Sequence, residues 1–258
     1  MNEKVLRVQG LQKSFGGLRA IDSLDFAVAE RQIKSIIGPN GAGKTTLFNL
    51  ITGIFPPTGG TLEFKGKILN DLKTHDIACL GISRTFQNLE LFGNMSTLEN
   101  VMVGRHSRTA AGLFSTGLRL PRMRQEERKI EEKAYAELLF MGLENKALWG
   151  ATSLPLGEQK LLEIARALAT EPKLLLLDEP ASGLNIRETE KLSETILKIR
   201  ERGITVIVVE HDMALVMEIS DEVLVLNYGR KIAEGLPREI QRNREVIAAY
   251  LGEELKDA

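Results

Sequence analysis

One stretch constrains this chain more than any other: Gly38-Pro-Asn-Gly-Ala-Gly-Lys44-Thr45. It fits the pattern G-x-x-x-x-G-K-[ST], in which glycines let successive backbone N–H groups curl around phosphate oxygens. Lys44 supplies a positive charge for terminal phosphates, the Thr45 hydroxyl can ligate Mg2+, and the N-terminus of the following helix favours an anion. The context agrees. Ile33–Ile37 reads as a buried strand directly before the loop, and 44–50 has helical character directly after it. An ordinary glycine-rich turn is the alternative, and the strand and helix on either side speak against it. The candidate phosphate contacts are therefore Gly38, Pro39, Asn40, Gly41, Ala42, Gly43, Lys44, Thr45 and Thr46.

A second feature is Leu174-Leu-Leu-Leu-Asp178-Glu179, an apolar strand ending in two acids. A carboxylate at the end of a buried strand can hold Mg2+ through water, the role expected of Asp178. Glu179, one residue on, stands where a general base would polarise an attacking water. Taken alone, the pair reads equally well as two solvated acids; a phosphate loop upstream decides for the site.

Around these features the chain falls into parts. Residues 5–8, 24–28 and 33–37 read as strands, and 61–64 with 67–69 as another pair, after breaks at Gly53, Pro56-Pro57 and Gly59-Gly60. From 88 onward strand patterns give way to helical ones. They are clearest over 126–141, where Ile130, Ala134, Leu138 and Met141 fall at helical spacing. The stretch 104–121 reads as an irregular excursion or a broken helix, either a docking segment or a tolerated loop. From Gly157 the order is helix to Ala169, strand Leu174–Asp178, helix 187–202, strand 204–210, helix Met213–Ile219 and strand 223–226. Such alternation implies a mostly parallel sheet covered by helices. The expected organisation is one α/β nucleotide-binding core, 1–87 and 152–258, interrupted by a helical subdomain over 88–151. There is no internal repeat.

Bulk composition narrows the function classes. At 43% hydrophobic, a chain of 258 residues has material for a sizeable core without staples. With 34 basic against 35 acidic residues it lacks the basic excess of a nucleic-acid-binding domain. Cys79 is the single cysteine, so no internal disulfide forms, which suits a reducing compartment. The first ten residues carry Glu3, Lys4 and Arg7 and do not read as a signal peptide. No stretch approaches the ~20 apolar residues needed to cross a bilayer, so any work at a membrane requires a separate spanning partner. Arg119, Arg122, Arg124, Arg128 and Lys129 interleave with Glu126, Glu127, Glu131 and Glu132, which reads as a solvated helix face.

The order of the phosphate loop, Gln87, Leu154-Pro-Leu-Gly157-Glu158, Asp178-Glu179, Ser182-Gly-Leu-Asn185 and His211 resembles the ATP-binding cassette family over essentially the whole chain. The resemblance implies a P-loop NTPase (RecA-like) core with an N-terminal antiparallel β region and an inserted helical subdomain. It implies ATP and Mg2+ as cofactors. Phe15 would stack on adenine, and Gln87 would sense nucleotide and join Thr45 and Asp178 around the metal. His211 would contact the γ-phosphate; Lys44, Gln87, Glu179 and His211 form the expected catalytic set. The family's signature, usually L-S-G-G-Q, departs here. Pro155 offers neither hydroxyl nor N–H, which leaves the Gly157 amide, Glu158 and the helix dipole to face ATP bound to the opposite subunit. Asn185, where the family usually has Asp, retains an acceptor for a contact across the dimer.

One copy then holds half of each composite site, and the implied active species is a head-to-tail dimer of this chain with itself or a paralogue. Closing on ATP and reopening after hydrolysis would drive integral-membrane permeases from the cytoplasmic face of the cell membrane, with a solute-binding protein as an indirect partner. Phe15-Gly-Gly-Leu-Arg-Ala-Ile, Arg84-Thr-Phe-Gln-Asn-Leu-Glu-Leu-Phe92, Glu210-His-Asp-Met213 and Ala249-Tyr-Leu-Gly-Glu253 resemble the branched-chain amino acid importer branch. Urea or amide importers and lipopolysaccharide exporters remain alternatives. A soluble cassette ATPase acting on nucleic acid or ribosomes usually has two cassettes or a long coiled coil; this chain has neither, and no nucleic-acid partner is expected. A module that holds ATP without turnover finds support only in the altered signature, against Glu179 and His211.

Overall fold

The computed structural model describes residues 3–87, 89–106 and 121–254. Most of the excursion read over 104–121, with Arg119, the side chains of Arg122 and Arg124, and Asn88, lies outside the described residues. Two sheets form the framework. The first is antiparallel, in the order β2 (Leu18–Ala29), β1 (Lys4–Phe15), β4 (Gly59–Phe64), β5 (Lys67–Ile68). The second has the order β10 (Arg230–Gly235), β9 (Glu222–Asn227), β3 (Ile33–Ile37), β8 (Thr205–Val209), β7 (Leu174–Asp178), β6 (Ile82–Arg84), parallel from β9 to β6 with β10 antiparallel at the edge. Strands β3, β7 and β8 are buried at every residue, as strands covered on both faces must be, although β3 carries Lys34 and Ser35.

Between the sheets, Leu6, Val8, Leu11, Ile21 and Leu24 pack with Ile36, Leu174, Leu176, Ile207 and Val209 around α1 (Lys44–Ile51). Lys34 of β3 is fully buried, which would be prohibitive unpaired. Its ammonium donates to Ala27 O at 2.8 Å, lies 2.9 Å from Glu222 of β9, and pairs with Glu234 of β10, so it joins both sheets. On the other face, α3 (Thr97–His106), α4 (Pro121–Met141) and α5 (Leu156–Leu168) share a core with α6 (Ile186–Glu201) and α7 (Met213–Ile219). The chain ends in α8 (Pro237–Gln241) and α9 (Arg244–Glu254), and a short α2 (Thr74–Leu80) precedes β6.

Bounds shift at several elements, most at β1 and β2, which were expected over 5–8 and 24–28, and three further changes bear on the site or its support. Residue 104 does not begin an excursion: α3 runs through it to His106, and Gly104 brings α3 against α5, since a Cβ there would lie 2.2 Å from Arg166 O. Strand β8 stops at Val209, before Glu210, whose carboxylate is taken by backbone N–H groups of the following turn. Helix α5 starts at Leu156 with Pro155 as its cap residue, a position that needs no N–H.

Candidate active site

The parallel order places the carboxyl ends of β3, β8, β7 and β6 along one edge, where open α/β sheets bind ligands. From that edge spring the loop 38–43, Glu210-His211, Glu179 and Gln87, residues far apart in sequence. The loop after β3 turns through glycines with positive φ, including Gly38 at 149°, where a Cβ would lie 2.1 Å from Leu226 O. Gly43 at 103° opens α1. Lys44 is buried, and its Nζ donates to Gly38 O at 2.5 Å and Pro39 O at 2.9 Å, so its charge sits inside the curl of the loop.

A cleft of about 440 Å3 opens in front of this loop. It is lined by Phe15, Leu18, Arg19 and Ala20, by Asn40, Gly41, Ala42, Gly43, Lys44, Thr45 and Thr46, and by Gln87, Glu179 and Tyr228. Phe15 is half-exposed there, edge-on to Phe55, with Lys13 Nζ 5.0 Å from its ring centroid. Glu179 takes φ 48° as the chain leaves β7, and its N–H donates to Val209 O at 2.9 Å. That kink brings Glu179 Oε2 within 3.0 Å of Gln87 Nε2 and 2.9 Å of His211 Nε2. The ammonium-filled loop is equipped to bind an anion, and the carboxylate beside it, held by an amide and an imidazole, to accept a proton from water.

Asp178 is buried behind this group. Its Oδ2 accepts from Arg84 at 2.7 Å, and Arg84 also donates to Asn49 Oδ1 of α1 at 2.6 Å. The guanidinium lies 5.4 Å from the ring centroids of both Phe48 and Phe86. Asp178 Oδ1 is buried with no hydrogen-bond partner. Asp178 Oδ1, the Thr45 hydroxyl and the Gln87 amide oxygen are hard oxygens, the donor type that suits Mg2+.

The loop after β8 is shaped by Glu210. Burial pushes its carboxyl above the ordinary value, against the backbone N–H groups of Ala181 (2.7 Å), His211 (3.0 Å) and Asp212 (3.4 Å). One side chain thereby fixes both the turn after Glu179 and the turn carrying His211. Glu163 of α5 does similar work on the Gln87 segment, accepting from Phe86 N–H at 3.1 Å, while Arg166 donates to Glu90 O at 2.6 Å.

Gly157 and Glu158 lie outside this cleft. Glu158 is bound to Lys146 at 2.5 and 2.7 Å, and a Cβ on Gly157 would lie 2.7 Å from Glu188 Oε1. The acceptor expected of Asn185 is already used: its side chain caps α6 by accepting from Glu188 N–H, and Glu188 caps back on Asn185 N–H. Several residues were not singled out from sequence: Arg84, Glu210 and the run Leu18, Arg19 and Ala20 stood inside quoted motifs without a role of their own, and Tyr228 carried only the signal of an Asn-Tyr-Gly turn.

Residues 21–182 match the family described as ABC transporter, and residues 230–256 match one described as branched-chain amino acid ATP-binding cassette transporter. The chain is 45% identical to the high-affinity branched-chain amino acid transport ATP-binding protein LivG of Salmonella typhimurium, over 98% of this chain and 100% of that protein. A crystal structure of a nucleotide-free ATP-binding cassette from an ABC transporter superposes with TM-score 0.84 at 30% identity, covering 96% of this chain and 99% of the other. A dimeric cassette in a post-hydrolysis state, bound to ADP and Pi, superposes with TM-score 0.76 at 26% identity, covering 90% and 99%.

Proposed function

The chain belongs to the ABC transporter family, and within it is an ATP-binding, ATP-hydrolysing subunit; we propose that its turnover drives import of branched-chain amino acids through separate membrane permeases. Identity to LivG along the whole chain supports the substrate class, as does the family match at 230–256. Among the described residues no helix is long and apolar enough to cross a membrane, in keeping with permeases as separate chains. On this reading the protein sits on the cytoplasmic face of the membrane, with 1–87 and 152–258 as nucleotide-binding core and 88–151 as the helical part.

One observation carries the catalytic reading: Gln87 and His211 converge on the same Glu179 oxygen at the mouth of the Lys44 cleft. Phe15 takes the adenine. The loop from Gly38 to Thr46, with Lys44, takes the phosphates. Glu179 accepts the proton of the attacking water, while His211 and Gln87 orient its carboxylate and meet the terminal phosphate. Thr45, Gln87 and Asp178 Oδ1 would hold Mg2+, which supplies charge neutralisation on the transferring phosphate when bound.

Replacing Glu179 by Gln keeps the shape and one acceptor oxygen, which can still take both Gln87 and His211, but removes the base. ATP binding should persist while steady-state turnover falls at least ~100-fold; near-normal turnover would remove Glu179 from that role. For the transport reading, the chain is captured with its neighbours from gently solubilised membranes of its own source. Two permeases and a second cassette are the expected company, and ribosomal or DNA-associated proteins would overturn it while the ATPase stands.

A further inference from the structure

The turn joining β9 to β10 holds a residue that the reaction described above does not use. Tyr228 and Gly229 have φ of 46° and 75°, between the paired residues Asn227 and Arg230. Two consecutive positive φ values are the pattern of a type I′ hairpin turn, whose first position favours Asn, Asp or Gly. A bulky aromatic there is conformationally unfavourable. Burial does not compensate, because the Tyr228 side chain is 73% exposed.

Location offers the reason. Gly229 N–H donates to Ala42 O of the phosphate loop at 3.0 Å, and Gly229 O accepts from Asp22 N–H of β2 at 2.9 Å. A Cβ on Gly229 would lie 2.5 Å from Ala20 O, so the turn is packed against the backbone of both walls of the cleft. Asp22 further holds Arg230 at 2.6 Å and Arg19 at 2.8 Å. Tyr228 is thereby fixed on the cleft lining, in company with Phe15 and Leu18.

A phosphate loop reads phosphates, so preference for a base must come from side chains beyond it, and aromatic faces are the groups that stack on bases. We propose that Tyr228 is a further nucleotide-binding residue, giving the cleft a second aromatic surface beside Phe15 for the base of the bound nucleotide. This rests on the cleft being the ATP site.

Tyr228→Asn removes the ring and restores the favoured Asn-Gly turn, so the fold is retained; Tyr228→Phe keeps the ring. The full chain and both variants are titrated calorimetrically with ATP and with inorganic tripolyphosphate, alongside thermal melts. Tyr228→Asn should bind ATP about fivefold or more weakly, bind tripolyphosphate as the parent does, and melt no lower, while Tyr228→Phe matches the parent throughout. Unchanged ATP affinity in Tyr228→Asn overturns the inference. An equal loss for both ligands overturns it too, since the turn would then act through the phosphate loop. A parent chain that binds tripolyphosphate as tightly as ATP leaves the phosphate site standing and removes any role for a base-facing ring. Binding of neither ligand to the parent overturns the ATP reading itself, and the inference with it.

Discussion

At the scale of single residues, the site depends on carboxylates that their surroundings supply with different partners. Asp178 faces a buried guanidinium and keeps one oxygen unpartnered. Glu179 stands at the cleft with an amide and an imidazole. Glu163, buried on α5, is pushed above its ordinary value of 4.5 by desolvation, which outweighs the Phe86 N–H and the nearby Arg166 charge. A raised acid pKa in the folded state contributes stability that is complete below the unfolded value and is lost as pH rises through the folded value. Glu163→Gln retains an acceptor for Phe86 N–H but has nothing to ionise. The melting temperature of this variant relative to the parent should therefore climb as pH rises above about 4.5 and level off once Glu163 ionises in the folded parent. A difference that stays flat across that range would mean that Glu163 ionises in the fold as freely as in water.

At the scale of elements, what was legible in the sequence and what was not follow from where the signal comes from. Strand β7 was bounded correctly because its residues are apolar up to Asp178, β3 because Ile33, Ile36 and Ile37 lead into the glycine loop, and α7 because Asp212 is a clear capping residue. Loop 38–45 was legible because its chemistry is backbone chemistry, written in glycines. Strand β6 is three residues long, and β10 is an edge strand with no buried residue, so neither has a pattern to read. Most of the expected phosphate-loop residues, with Phe15, Gln87 and Glu179, line one cleft, while Gly157 and Glu158 do not; the network behind them was not legible, because the pairing of Arg84 with Asp178 and the turn-holding by Glu210 are tertiary facts. Gly104 misled because a glycine inside a helix usually signals a break. Here the missing Cβ is what lets two helices meet. Gly104→Ala improves helix propensity by up to ~1 kcal/mol, yet its Cβ would meet a backbone oxygen at 2.2 Å that belongs to α5 and must move as a unit. Overpacking of this kind costs ~1–3 kcal/mol, so the variant should lose stability on balance, seen as a lower urea midpoint at unchanged slope. A higher midpoint would show that α3 and α5 separate without penalty.

At the scale of the whole molecule, the question is why one chain carries a complete cleft for nucleotide and a signature segment that does not reach it. Gly157 and Glu158 open α5 away from Lys44, and the helix N-terminus there presents unpaired amides suited to an anion. Near it stand exposed apolar side chains, Leu156 at 42% and Ile186 at 79%, on the turns that begin α5 and α6. A surface of this sort, useless for the chain's own cleft, fits the proposed arrangement in which each signature completes the cleft of a second cassette. Occupancy and turnover then separate by molecularity. Nucleotide binding needs only the single chain, so at saturating ATP the clefts should be filled even at dilutions where the chain is monomeric. Hydrolysis belongs to the pair, so turnover per chain should rise with chain concentration and level off once the dimer dominates, as for any active species formed by association. If the second cassette is a paralogue, the rise should follow the paralogue's concentration instead, the chain alone staying nearly inactive at every dilution. Full turnover per chain that is constant down to dilutions where sedimentation finds only monomer would mean that a single cleft suffices, and that the segment at Gly157 has no part in the chemistry.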